Sequence, residues 1–237
     1  MIFPVTVQAN GSAVYTIKVG IPQECPVKAC GRYYPERVDD VAWENDLTAF
    51  RAYGPALQET GERAFGYDIW TKYNTTEPVV EARYEGELNP DMKAKIAELG
   101  KTDPKAAQEL YRSVSYHVDH GNGLDCYKVG PTLGGGTTAL MAGDTIVYPY
   151  CYAIQEILDN GPLRFTVKLV YNPLVVKGDS TIIETRIITL DAGSYCNKTV
   201  VSYTNLKETM PLAVGIVLHE PDGAIGADAA NGYMTYV

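Results

Sequence analysis

The sequence predicts a mainly β chain, interrupted by a short helical insertion around residues 90–116. Two patterns carry this. Beyond residue 137 nearly every segment alternates apolar and polar residues between turn signals, which is the period of a half-buried strand. Between 90 and 116 the apolar residues fall instead at helical spacing. Composition adds a third hint, with 18 Tyr against 4 Phe and 2 Trp. Tyrosine joins an apolar ring to a polar tip and suits β-surfaces and half-wet clefts; sugar-binding clefts are one such place and β-sandwich strands another.

The elements follow in order. Val5, Val7 and Ala13–Val19 alternate around Asn10-Gly11, a good two-residue turn, and predict a β-hairpin. Residues 31–40 are polar and read as a loop or sheet edge. Val41–Tyr53 alternates in its second half, with Leu47, Ala49 and Arg51 facing one way and Thr48, Phe50 and Ala52 the other. A helix is expected from Pro90 to Leu99, stopping at Gly100. A second should start with Asp103 as N-cap and Pro104 behind it, and end near His117. Strands are expected over Thr145–Tyr152, Leu163–Tyr171, Ser180–Leu190, Tyr195–Thr204 and Pro211–Glu220, with turns at Asn160-Gly161-Pro162, Lys177-Gly178-Asp179 and Asp191-Ala192-Gly193. The last residues, Gly232–Val237, read as another strand. A chain that stops inside a strand leaves an unpaired edge, so the native protein is expected to continue past Val237. One β-sandwich domain over 1–237 is the expected organisation.

Composition excludes several classes. With 237 residues and a net charge of −9, the chain lacks the basic surface that neutralises nucleic-acid phosphate. No run of eighteen apolar residues is present to span a membrane as a helix. The N-terminus has neither a basic n-region nor a long apolar core, so it is not a signal peptide. The five cysteines are odd in number; buried free thiols are expected, with Cys25-x4-Cys30 able to pair in an oxidising compartment.

The segment Tyr116–Gly130 is where the chemistry concentrates. It holds His117 and His120, two of the chain's three histidines, with Asp119, Asp125, Tyr127 and Lys128. Histidine exchanges a proton near neutrality. His117-x-x-His120 with Asp119 or Asp125 has the spacing of a metal site, and His219 is the only further histidine to recruit; the alternative is that one histidine caps a helix end while the other packs. Zinc wants a third clear ligand, so no metal is expected; Ca²⁺ is harder to dismiss because Asp and carbonyl oxygens are plentiful. Gly130–Thr137 lacks the Gly-Lys-Ser/Thr ending of a phosphate loop; its glycines serve close passage or a sharp turn. No G-x-S-x-G elbow exists.

Val41–Leu57, Gly66–Lys72, Tyr116–Thr132, Asn160–Arg164 and Leu190–Ser194, in that order and spacing, resemble the domain-of-unknown-function family 4861 of bacterial polysaccharide-degradation systems. The resemblance implies an antiparallel β-supersandwich of the galactose-mutarotase-like type, exported to the periplasm or cell surface, whose members continue past the point where this chain ends. It also implies an activity found in some relatives: dehydration of uronic-acid-ended oligosaccharides to the 4,5-unsaturated sugar. The fold hosts lyases, epimerases and sugar binders alike, so fold does not settle function.

The expected function is therefore elimination of water or an alcohol across C4–C5 of a uronic acid. The alternatives are a mutarotase or epimerase, or a carbohydrate-binding module without turnover. His117, His120, Tyr127 and Lys128 are the candidate proton-transfer groups. Trp43, Asn45, Asp46, Arg51, Asp119, Asp125 and His219 are the candidate substrate contacts, with Arg51, Asn45 and Lys128 the candidates to meet the carboxylate. His117, His120 and Lys128 are expected to share one cleft with Asn45 or Arg51.

Overall fold

A computed structural model describes residues 2–21, 24–220 and 222–237. The first four strands, β1 (Ala29–Tyr34), β2 (Asp40–Asn45), β3 (Thr48–Ala52) and β4 (Asp68–Thr71), form an antiparallel sheet in sequential order, with the short helix α1 (Pro55–Glu59) between β3 and β4. Three helices follow: α2 (Val80–Leu88), α3 (Pro90–Thr102) and α4 (Pro104–Arg112). Then come β5 (Gly135–Ala142), β6 (Thr145–Val147), β7 (Tyr152–Gly161), β8 (Arg164–Tyr171), β9 (Leu174–Val176), β10 (Asp179–Asp191), β11 (Lys198–Thr204), β12 (Leu212–Ile216), β13 (Ile225–Asp228) and β14 (Tyr233–Tyr236). They build a second sheet in the order β11-β10-β8-β7, with β9 added to β10. A three-stranded sheet, β12-β5-β6, and the β13-β14 ribbon complete the set.

Strands β2 and β3 are buried at every position, so both faces of the sheet's centre are covered. On one face Val41, Trp43, Phe50 and Ala52 meet Phe165, Val167, Leu169, Ile188 and Leu190 of the second sheet. Trp43 lies between Phe50 and Phe165 in a stack. On the other face Ala42, Ala49 and Trp70 meet Val80, Tyr84 and Tyr116. The alternation read in β3 is thus correct, with Phe50 and Ala52 facing one way and Ala49 the other.

Two polar devices fix the joints. Asn45 Oδ1 accepts from Leu47 N and Thr48 N, closing the β2–β3 turn. Glu44 accepts from Val79 N and Val80 N at 2.9 Å, giving α2 the N-terminal acceptor its own flanking residue lacks. Lys72 donates to the same carboxylate, to Asn45 O and to Glu77 O, so all three of its protons are used.

Several expectations are corrected. No strand forms in residues 2–21 or 24–28; the Asn10-Gly11 turn closes, with Gly11 N donating to Gln8 O, but its flanks do not pair. Val14 and Val19 remain exposed there, and a two-stranded hairpin with nothing to cover is marginal in water. The polar stretch after Cys30 is an edge strand, β1. The helical region begins at Val80, earlier than expected, because α2 presents only Val80, Arg83 and Tyr84 inward from an otherwise polar sequence. Helix α3 continues through Gly100 to Thr102, and α4 stops at Arg112, short of His117. Asp103 does cap α4, its side chain accepting from Ala106 N. Thr145–Tyr152 breaks into β6 and the start of β7, and β5 lay hidden behind its leading glycines. The C-terminal strand pairs with β13. All five cysteines are free, and only Cys151 is buried.

Two glycines let one stretch of backbone pass close to another. A Cβ on Gly66 would lie 2.1 Å from the Leu133 carbonyl oxygen, and one on Gly134 would lie 2.6 Å from Tyr67 O. Gly66→Ala must push two backbones apart and is expected to cost about 1–3 kcal/mol or more of stability, read as a drop in the urea midpoint; an unchanged midpoint would mean that the crossing yields freely.

Candidate active site

The helix-side face of the first sheet carries a charged centre. Register places Arg51 opposite Asp68 on β4 and opposite Ala42 on β2, one position along from Asp40 on the same face. Arg51 is 2% exposed and Asp40 and Asp68 are fully buried. The guanidinium donates through Nη2 to Asp68, to Asp125 Oδ2 at 2.7 Å and to Tyr53 OH at 3.1 Å. Its Nε lies 3.9 Å from Asp40 Oδ2, and Arg37 Nη1 lies 3.8 Å from that same oxygen. Asp125 reaches the centre from the segment after the helices. That segment is tied down by Asp125 N donating to Tyr116 O at 2.9 Å and by a β-bridge to Trp70.

Three buried carboxylates thus share two guanidinium groups. Burial, only partly opposed by Arg51, pushes the Asp40 carboxyl up to about 7. It pushes that of Asp125 up to about 6, again against the pull of Arg51. Asp40 Oδ1 has no hydrogen-bond partner, as suits a carboxyl held toward its neutral form. Burial also raises Tyr53, whose hydroxyl donates to Asp68 Oδ2 at 3.2 Å.

A cleft of about 640 Å³ opens above this centre. Arg37, Arg51, Tyr53, Arg63, His117, Asp125, Tyr127 and Lys128 line it. The His117 ring stands at the surface with Nδ1 3.1 Å from Asp125 O and 3.5 Å from Asp125 Oδ2. The Asp125 carbonyl, with the carboxylate beside it, fixes the orientation of the ring. Arg37, Arg51, Arg63 and Lys128 stand against Glu62 and Asp125 in the lining, and beside His117 they suit an anionic substrate and acid–base chemistry.

The structure brings together five of the candidate residues: His117, Arg51, Asp125, Tyr127 and Lys128. Tyr127 contributes its ring edge, since its hydroxyl donates to Gly134 O. The others lie elsewhere. His120 is exposed, and its Nε2 meets Ser115 O at 2.9 Å, closing the turn after α4. Asp119 accepts from Gly121 N and Gly123 N and from Tyr73 OH. His219 stacks edge-on to Tyr127 and meets Lys128 O, outside the cleft lining. Trp43 is core. Asn45 and Asp46 bond the backbone of the loop after β10, so Asn45 does not join Arg51. Among the described residues no three of His, Cys, Asp and Glu are grouped to hold a metal ion.

Arg37, Asp40, Tyr53, Arg63 and Asp68 were not singled out from the sequence. Asp40 and Asp68 open β2 and β4, charged residues beside apolar ones, as Arg51 is within β3. Arg37 ends a short 3-10 turn, Pro35–Arg37, and Arg63 sits in a loop; neither carried such a signal.

The raised carboxyls have a consequence for stability. Folded Asp40 and Asp125 keep protons up to about pH 7 and 6, while the unfolded chain releases them near about 4. The folded state binds more protons across this window, so their contribution is largest at low pH and falls as pH rises from about 4 to about 7. Asp40→Asn is expected to flatten that part of the profile, measured as urea midpoints across the range. A profile of unchanged slope would place the proton elsewhere.

Among the described residues no helix is long and apolar enough to cross a membrane. No solved structure matches the chain. It is 28% identical over 224 residues to the uncharacterized protein P7 of Formosa agariphila, an alignment covering 92% of this chain and 50% of that protein. The chain therefore spans about half the length of the curated relative it matches. The model of a domain of unknown function, DUF4861, matches residues 1–237 from end to end. With that match across its whole length, the chain belongs to the DUF4861 family.

Proposed function

We propose that this chain carries an acid–base site that eliminates water or an alcohol across C4–C5 of a uronic acid at the end of an oligosaccharide. The observation that carries the reading is the cationic cleft in which exposed His117 is backed by buried Asp125 over Arg51. Elimination breaks C5–H and C4–O and forms C4=C5. His117, held by Asp125, takes the C5 proton. Negative charge then builds on the substrate carboxylate, where Arg51, Arg37 and Arg63 line the cleft to meet it. Lys128, which forms no ion pair among the described residues, returns a proton to the oxygen leaving C4. Each proton-transfer partner contributes about 10²- to 10⁴-fold.

The resemblance supplies the rest of the reading. The stacked antiparallel sheets belong to a galactose-mutarotase-like supersandwich, and the protein works in polysaccharide degradation in the periplasm or at the cell surface. Epimerisation at C5 begins with the same proton removal, so the product decides between the two reactions.

Uronic-acid-ended oligosaccharides incubated with the protein should gain the absorbance of the 4,5-unsaturated sugar. His117→Ala should lower the rate by about 10²-fold or more while leaving the melting temperature in place, because the ring is exposed. A variant as fast as wild type removes His117 from the reaction, and an inverted C5 centre without new absorbance turns the reading to epimerisation. Activity is expected to survive a chelator, with elemental analysis of the same sample as the check; stoichiometric metal and a lost rate would assign the charge-stabilising role to an ion.

A further inference from the structure

Trp43, Asn45 and Asp46 are candidate substrate contacts that the His117 cleft does not use. They converge instead on the loop Asp191–Asn197 that follows β10. Asn45 Nδ2 donates to Asp191 O and to Ser194 O, both at 2.7 Å. Gly193 N donates to Asp46 Oδ1 at 2.7 Å, and Trp43 Nε1 donates to Asn197 Oδ1 at 2.8 Å. Inside the loop Cys196 N donates to Ser194 Oγ. A loop held at so many points gives up little further entropy when something binds to it. At its tip Tyr195 is 70% exposed.

Tyr195 lines a cleft of about 460 Å³, within the usual range for small-molecule sites. Leu47, Phe50 and Ile69 give it apolar surface, while Asn197 and Thr199 offer an amide and a hydroxyl. Gly135 and Gly136 line it without side chains. Lys72 is the one charged residue in the lining, and its ammonium is fully occupied by Glu44, Asn45 O and Glu77 O. The opening therefore presents an aromatic ring, apolar surface and neutral hydrogen-bonding groups with no free charge. This is the opposite of the His117 cleft, and register sets the two on opposite faces of the sheet: Phe50 and Ile69 point to one side, Arg51 and Asp68 to the other.

We propose that the Tyr195 cleft binds an uncharged pyranose ring, as a second carbohydrate position separate from the His117 cleft. A pyranose offers apolar C–H faces to an aromatic ring and hydroxyls to an amide and a threonine. Asn45, Asp46 and Trp43 are then positioning residues that hold the platform. The proposal rests on the carbohydrate reading for its ligand class and not on turnover.

The test titrates the full chain with glucose, galactose, xylose and cellobiose, read by saturation-transfer NMR. Wild type should bind at least one of them in the millimolar range. Tyr195→Ala should weaken that binding about tenfold at an unchanged melting temperature, and Tyr195→Phe should keep it, since the ring is the contact. Transfer to none of the four sugars, or equal transfer in Tyr195→Ala, overturns the proposal. Uronate elimination is followed in the same samples. A rate intact in Tyr195→Ala alongside lost neutral-sugar binding supports two separate positions. Absent elimination with Tyr195-dependent binding leaves this site standing while the proposed reaction falls.

Discussion

The Arg51 guanidinium is the constraint on which the rest of this structure depends. Three carboxylates, from β2, from β4 and from the segment after the helices, are drawn out of water around it. Each buried ion costs several kcal/mol unless it is paired and hydrogen-bonded. Removing Arg51 would leave three acids facing one another beside Trp70, with Arg37 alone to offset them. The centre also joins fold to site: the carboxylate that completes the charge pairing is the one that stands behind His117.

Much of the architecture was legible because it is periodic. Strands β8, β10 and β11 fall where turn signals and apolar runs place them, and Asp103-Pro104 announces α4. What escaped was governed by tertiary contact. Helix α2 has a glycine in its middle and no N-cap of its own, and it forms because Glu44, 35 residues earlier, caps it. The N-terminal valines had the right period for a hairpin, but period alone does not supply a surface to cover.

The site divides in the same way. The segment Tyr116–Gly130 was visible as a concentration of proton-transfer groups, and His117, Asp125, Tyr127 and Lys128 do share a cleft. His120 shows the limit of composition, since a ring three residues along from His117 closes a turn instead. Asn45 and Asp46 were conspicuous as polar groups at a strand end, yet their work is to hold a loop 146 and 147 residues further along. Nothing local distinguishes a residue that touches substrate from one that positions a loop.

The spacing of the three acids along the chain implies an order of assembly. Asp40 and Asp68 lie within 17 residues of Arg51 in sequence, in one meander. Asp125 is 74 residues away and must close a long loop, at a greater cost in chain entropy. The meander can therefore form with a partly neutralised centre, and the segment bearing His117 docks onto it afterwards. The same asymmetry lets that segment detach while the sheet persists. The Asp125 amide, bonded to Tyr116 O, should then exchange with solvent sooner than the amides of β2 and β3, and one wall of the cleft opens without loss of the sheet.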